Sequence, residues 1–143
     1  MPGARLYGAL VVSAEERQQR QAPSPARVLV VEDDPDTRMM LAEMLATDGY
    51  ELQLAANGRA ALAVAERWPP DLILLDLLMP ESDGWAFARA YHQTPLPKAP
   101  IIVLTASQAT PDRLAPVEPV AALHKPFQMN DLLTLVRQYM RRR

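Results

Sequence analysis

The amino-acid sequence predicts an α/β fold, a doubly wound five-stranded parallel sheet with helices on both faces. From Arg27 onward, apolar runs of strand length alternate five times with helical stretches. The central runs are apolar at every position, which is typical of parallel strands covered on both faces. Polar residues follow four of the runs, and sheets of this kind bind ligands at the carboxyl ends of their strands.

The first half of the pattern contains three strands and two helices. The predicted elements are a strand at 28–31, a helix at 35–47, a strand at 52–55, an alanine-rich helix at 59–67 and a buried strand at 72–75. The second helix ends before Pro69 and Pro70, because a helix rarely continues through proline.

The second half continues the alternation with a weaker fourth helix. A helix at 85–92, strands at 101–104 and 120–123, and a last helix at 129–141 are predicted. Prolines at positions 111, 116 and 119 interrupt the segment between the two strands. A helix cannot cross them without a kink, so the fourth helix is predicted to be one short piece over 111–114.

Residues 1–25 differ in composition from the rest and are predicted to be an N-terminal extension and linker, with one domain at 26–143. The stretch 13–21 is compatible with a short helix, and 22–26 with a proline-punctuated linker. Two interpretations stay open for this segment: a flexible extension or misassigned start, and a helix that packs on a partner or a second copy.

Composition limits the class of function. The net charge of −2 argues against a dedicated nucleic-acid binder, and the absence of cysteine excludes disulfides, thiolate metal sites and cysteine nucleophiles. No apolar run reaches the roughly 18 residues that a membrane span needs. We therefore expect a cytoplasmic domain without direct contact with nucleic acid or membrane.

The strand ends deliver polar residues to one edge of the predicted sheet. They are Glu32, Asp33 and Asp34 after the first strand, Asp76 after the third, Thr105 after the fourth and Lys125 after the fifth. Two carboxylates about 5 Å apart repel by roughly 3 kcal/mol at an effective dielectric near 20. A cluster of such groups predicts a divalent cation, and oxygen ligands without histidine or cysteine favour Mg²⁺. The lysine and the hydroxyl suit a phosphoryl group.

Four segments resemble the signature segments of bacterial response-regulator receiver domains. They are VLVVEDDP (28–35), DLILLDLLMPESDG (71–84), IIVLTA (101–106) and KPF (125–127). The resemblance covers roughly 26–143 and implies a flavodoxin-like fold. It also implies a switch controlled by phosphorylation, which is not an enzyme beyond catalysing its own phosphorylation and dephosphorylation.

The resemblance assigns roles to the residues at the strand ends. Asp76 is the expected phosphoacceptor, which takes a phosphoryl group from a sensor histidine kinase or a histidine phosphotransfer protein. Mg²⁺ is expected to bind Asp33 directly, Glu32 through water, Asp76, and the backbone carbonyl of Leu78.

Two further residues complete the implied site. Lys125 is expected to pair first with Asp76 and then with the phosphate, and Thr105 to move toward a phosphate oxygen. Each residue also has a simpler interpretation. The acids at 32–34 could open a helix, Thr105 could end a strand, and Lys125 could be a turn residue.

The sequence departs from the family at several positions. The family usually carries an aromatic residue three positions before the lysine, where this chain has Ala122. Leu78 lies two residues after the expected phosphoacceptor, at a position that in this family affects how fast the phosphate is lost. A leucine cannot orient an attacking water, so we expect self-dephosphorylation to take hours. The prolines of the fourth helix put the usual homodimer in doubt.

The downstream target and the functional class of the protein each leave alternatives open. The chain resembles a stand-alone receiver or one excised from a hybrid kinase, acting on an unknown downstream protein. A phosphate-independent scaffold and an aspartate-dependent phosphohydrolase are the competing hypotheses. Leu78 occupies the position where such hydrolases carry a second acid.

Overall fold

The chain is described here by a computed structural model, which covers residues 4–7, 10–13, 24–77, 83–105 and 110–140. Within these ranges, no helix has the length and apolar character required to cross a membrane.

The described elements alternate between strand and helix from Arg27 onward. In chain order they are β1 (Ala4–Tyr7), β2 (Leu10–Ser13), β3 (Arg27–Val31), α1 (Pro35–Thr47), β4 (Glu51–Ala55), α2 (Gly58–Arg67), β5 (Leu72–Asp76), α3 (Asp83–His92), β6 (Ile101–Thr105), α4 (Pro111–Leu114), β7 (Ala121–His124) and α5 (Met129–Tyr139). A 3-10 turn at Ala115–Val117 follows α4 directly.

Strands β3 to β7 form one parallel sheet in the order β4-β3-β5-β6-β7. The phosphoacceptor candidate Asp76 pairs with Leu104, and Thr105 pairs with His124. Every residue of β5 and β6 is buried. The predicted doubly wound fold is therefore confirmed, and so is the short fourth helix at Pro111–Leu114.

Alternate residues of each central strand enter separate hydrophobic cores. On one face Ile73 and Leu75 belong to a cluster that includes residues of α2 and α3, whereas on the other face Leu72 and Leu74 cluster with residues of α1 and α5. Burying one leucine or isoleucine side chain contributes about 1.5–3 kcal/mol. The two cores thus hold β5 rigidly and fix where its last residue projects.

Several element ends differ from the predictions by one or two residues. His124, expected beyond the last strand, is an exposed residue inside β7. The last helix ends at Tyr139, two residues earlier than predicted, and 141–143 lie outside the described residues. Fraying makes helix ends the least predictable part of a helix.

The N-terminal segment contains two strands that the sequence analysis did not predict. Strands β1 and β2 pair antiparallel, with Leu6 opposite Val11 and Tyr7 opposite Leu10. Their four-residue length gives little periodicity from which to recognise a strand. Ser13 ends β2, and the rest of the helix predicted at 13–21 lies outside the described residues.

Candidate metal centre

Three carboxylates meet at the carboxyl edge of the sheet. Glu32 and Asp33 directly follow β3, and Asp76 ends the neighbouring strand β5. One carboxylate oxygen from each residue lies within 4.8 Å of the others. Glu32 and Asp76 are each only 1% exposed, whereas Asp33 is exposed to solvent. The edge of the sheet therefore gathers three oxygen ligands, two buried and one open to water.

Lys125 supplies the cation that faces this cluster. Its Nζ lies 3.3 Å from Oε1 of Glu32 and 3.4 Å from Oδ2 of Asp76. Lys125 is placed by the edge strand β7, which ends one residue before it, and its backbone N–H donates to the carbonyl of Thr105 at 2.8 Å. One ammonium thus bridges the two buried acids, rather than Asp76 alone as the sequence predicted.

The surroundings of Glu32 oppose its ionisation. Burial is the largest cause, followed by the hydrogen bond and charge of Asp76, and together they raise the pKa of Glu32 to about 8 although Lys125 acts in the opposite direction. The carboxyl of Glu32 therefore holds its proton more firmly than a solvent-exposed glutamate does. A cluster that retains a proton in place of a positive charge fits a cation site.

Asp34 lies in the same acidic segment but has a different role. It is the N-cap of α1, and its Oδ2 accepts hydrogen bonds from the backbone N–H of Thr37 at 2.8 Å and from the Thr37 hydroxyl at 2.7 Å. These bonds lower the pKa of Asp34. The interpretation that the acidic segment opens a helix therefore applies to Asp34, whereas Glu32 and Asp33 belong to the carboxylate cluster with Asp76.

Arg38, which the sequence analysis did not single out, reaches back from α1 to the loop that carries Glu32 and Asp33. Its Nη1 donates to the carbonyl oxygen of Glu32 at 2.8 Å and to that of Asp33 at 3.3 Å. The sequence signal that could have identified Arg38 is a basic residue in the first turn of a helix that follows an acidic loop.

Thr105 is 3% exposed and ends β6, one residue beyond Leu104, the partner of Asp76. The structure thus places Thr105 at the same edge as the acids. Leu78, whose carbonyl was predicted as a metal ligand, lies outside the described residues, as do 106–109.

Gly84 permits a close approach between α3 and the phosphoacceptor candidate. A Cβ at this position would lie 2.6 Å from Cδ2 of Leu77 and 3.4 Å from the carbonyl oxygen of Asp76. A larger residue would require the flexible end of the Leu77 side chain to shift. The start of α3 therefore packs closely against the end of β5.

An open apolar groove lies beside the cluster formed by Glu32, Asp33 and Asp76. It has a volume of about 470 Å³ and is lined by Thr37, Met40, Lys125, Pro126, Phe127 and Met129. Met40 is 45% exposed, and its neighbour Met39 is 52% exposed. Because Lys125 belongs both to the groove and to the acid cluster, a partner in the groove would sit next to Asp76.

This fold and site define a response regulator receiver domain: a doubly wound sheet with buried acids, a hydroxyl and a lysine at its carboxyl edge. The sequence model of that family, described as the response regulator receiver domain, matches residues 28–137. The chain belongs to this family, whose members are signalling switches of two-component systems.

Related proteins agree with this assignment. The response regulator MprA of Mycolicibacterium vanbaalenii is 38% identical over 120 residues, which are 82% of this chain and 52% of that protein. The solved structure of the chemotaxis response regulator CheY4 of Vibrio cholerae has a TM-score of 0.75 and 32% identity, covering 82% of this chain and 100% of that one.

A third relative bears on the metal. The receiver domain of the sensor histidine kinase PA1611 from Pseudomonas aeruginosa has a TM-score of 0.73 and 31% identity, covering 81% of this chain and 98% of that one. Its structure has a magnesium ion coordinated in the active-site cleft. The present chain spans about half the length of the curated relatives it matches.

Proposed function

We propose that this protein is the phosphoacceptor of a two-component or phosphorelay pathway, in which Asp76 receives a phosphoryl group from a phosphohistidine. The observation that carries the proposal is the contact of one lysine with two buried acids. Lys125 lies 3.4 Å from Asp76 and 3.3 Å from Glu32, and Asp33 completes the cluster. A purely structural sheet edge has no reason to bury two acids together, because their repulsion destabilises the fold.

Glu32, Asp33 and Asp76 would hold Mg²⁺, with the Leu78 carbonyl as a further ligand. The donor set consists of oxygen atoms, which Mg²⁺ prefers, and the raised pKa of Glu32 marks a site short of positive charge. A bound Mg²⁺ would offset negative charge on the phosphoryl oxygens and on the acids that approach them.

Asp76, Lys125 and Thr105 would each contribute to the transfer of the phosphoryl group. A carboxylate oxygen of Asp76 would form a bond to phosphorus as the bond between phosphorus and the histidine nitrogen breaks. No general base is needed, because an ionised carboxylate is already nucleophilic. Lys125 would pair with the phosphoryl group, and the Thr105 hydroxyl would donate a hydrogen bond to one of its oxygens.

The phosphodonor would dock in the apolar groove beside Lys125. Met40, Phe127 and Met129 offer an adaptable apolar surface, which suits a helix of a histidine kinase or histidine phosphotransfer protein. A partner held there would bring its phosphohistidine to the open side of the cluster, where Asp33 is exposed.

Intact mass spectrometry tests the phosphoacceptor directly. The protein is incubated with Mg²⁺ and acetyl phosphate beside Asp76→Asn, which keeps the shape of the side chain and removes the nucleophile. A single phosphoryl adduct in the wild type alone is expected. The absence of an adduct in the wild type, with Mg²⁺ binding verified separately, would favour a phosphate-independent binding module.

Met40→Glu tests the docking groove separately. We expect this variant to lose at least tenfold in the rate of transfer from a phosphohistidine protein, while acetyl phosphate still modifies it at the wild-type rate. Val120→Glu is the matched control, because Val120 is also exposed, at 40%, and does not line the groove. Equal losses in the two variants would contradict docking in the groove.

A further inference from the structure

The acids of the carboxylate cluster differ in their burial and in their side-chain contacts. The side chain of Glu32 is buried and bonded to Lys125, whereas the side chain of Asp33 is exposed. The direction in which Asp33 projects therefore depends on the backbone of the loop between β3 and α1. Whatever fixes that backbone also fixes a metal ligand.

The side chain of Arg38 makes two hydrogen bonds to the backbone of this loop. A single guanidinium nitrogen, Nη1, donates to the carbonyl oxygens of both Glu32 and Asp33, at 2.8 and 3.3 Å. In the described part of the chain, Lys125 forms ion pairs with Glu32 and Asp76, whereas Arg38 contacts the loop through carbonyl groups. The geometry is that of a clamp on the backbone rather than of a counter-ion to the carboxylates.

The helix that carries Arg38 is itself firmly anchored. The backbone N–H of Arg38 donates to the carbonyl of Asp34 at 2.9 Å, and Asp34 caps the first turn. One turn further on, Leu41 is completely buried in the core that α1 shares with α5. Arg38 therefore connects an anchored helix to the loop that carries both acids, beside the bond from the backbone N–H of Glu32 to the carbonyl of Ala55 at 3.0 Å.

We propose that Arg38 is a positioning residue for the Mg²⁺ site, which orients Asp33 and Glu32 by binding their carbonyl groups. This inference rests on the proposed function, because it requires that the cluster binds Mg²⁺. Residues that orient metal ligands without touching the metal typically contribute 10–100-fold in metal affinity. A positively charged group close to the site would by itself repel the cation, so charge and positioning act in opposite directions here.

Two substitutions separate charge from positioning. Arg38→Lys keeps the positive charge but ends in a flexible ammonium group on a shorter side chain, away from the two carbonyl oxygens that Nη1 contacts. Arg38→Gln removes the charge and shortens the side chain. Titration with MgCl₂, followed by the backbone amide chemical shifts of the uniformly labelled protein, gives Kd for each variant without relying on phosphorylation. Arg59→Lys on the exposed start of α2 is the matched control.

The positioning role predicts about a tenfold weaker Kd for both Arg38→Lys and Arg38→Gln, with the control at the wild-type value. The melting temperature without metal is measured for each variant, and we expect Arg38→Lys to melt within a few degrees of the wild type. A wild-type Kd in Arg38→Lys, or tighter binding in Arg38→Gln, would overturn the inference. Failure of the wild type to bind Mg²⁺ would instead overturn the proposed metal site itself.

Discussion

Ionisation of the Glu32 carboxyl lowers the free energy of unfolding, so the stability of the fold depends on pH in a definite direction. Its pKa rises from 4.5 to about 8 on folding, first because of burial and then because of Asp76. Between these two values the folded protein holds a proton that the unfolded chain has released. The resulting stability is complete below pH 4.5 and is lost as the pH rises through about 8.

This sign gives a prediction for Glu32→Gln, which keeps the neutral shape at every pH. Without metal, the free energy of unfolding of this variant relative to the wild type should increase steadily from pH 5 to pH 8. Urea denaturation in EDTA at several pH values measures it. A difference that does not depend on pH would mean that Glu32 ionises in the fold as it does in water.

Asp33 offers a second test at the scale of one residue. Asp33→Asn removes one charge from the cluster, so we expect the metal-free melting temperature to rise by a few degrees while Mg²⁺ binding is lost. Differential scanning calorimetry with EDTA and with MgCl₂ measures both effects. A clearly lower melting temperature in EDTA would show that Asp33 supports the loop structure.

At the scale of elements, helices α3 and α4 are joined by one aromatic residue. Nε1 of Trp85 donates to the carbonyl of Arg113 at 2.8 Å, and the guanidinium of Arg113 lies 5.5 Å from the centre of the Trp85 ring. The start of α3 approaches the Asp76 backbone at Gly84, and α4 is the next described helix after β6, the strand that Thr105 ends. Trp85 thus connects the helix that approaches Asp76 to the helix that follows β6 in the chain.

The fluorescence of Trp85 should therefore report on phosphorylation. The chain has two tryptophans, and Trp68 belongs to another contact, with Glu51. In Trp68→Phe, acetyl phosphate with Mg²⁺ should shift or quench the remaining emission, because the start of α3 approaches the proposed phosphoacceptor Asp76 at Gly84. Trp85→Phe, with Trp68 alone, should show no change. The reverse result would place the conformational change at the other end of the sheet.

Ala122 bears on the same question. It is half-buried in β7 and packs against the core that includes α3, where the family usually carries a rotating aromatic residue. A methyl side chain has no rotamer to change, so under the proposed function a signal from Thr105 would travel by displacement of the backbone or of helices. The contact between Trp85 and Arg113 is suited to transmit such a displacement.

At the scale of the whole molecule, stability and function occupy different parts of the same strand. Residues 72–75 of β5 fill the two cores, and Asp76, the next residue, belongs to the cluster of acids. The cores must therefore offset the repulsion at the edge. Net stabilities of domains are only about 5–15 kcal/mol, so the balance is sensitive to core packing.

Leu74→Ala tests this balance. Leu74 is completely buried in the core between the sheet, α1 and α5, and its truncation should lower the free energy of unfolding by about 2–5 kcal/mol. Because Mg²⁺ would bind the folded state, MgCl₂ should raise the free energy of unfolding of this variant and of the wild type by a similar amount. Urea denaturation with and without MgCl₂ measures both terms. Leu135→Ala, a half-buried position at the border of the same core, should lose less.

The sequence by itself determined the five-stranded parallel sheet and the residues that meet at its carboxyl edge. Apolar runs set the five central strands, prolines shortened α4, and the strand ends brought Glu32, Asp33, Asp76, Thr105 and Lys125 to one edge. These features depend on local composition and on the rule that parallel strands end together, both of which are readable from spacing.

Only the tertiary structure decided how those residues divide their roles. Asp33 and Asp34 are adjacent acids, yet one joins the cluster and the other caps α1. The bridging position of Lys125, the raised pKa of Glu32 and the clamp made by Arg38 likewise depend on contacts between distant or differently folded segments. Side-chain direction and desolvation are set by neighbours in space, and a linear sequence does not specify those neighbours until the chain has folded.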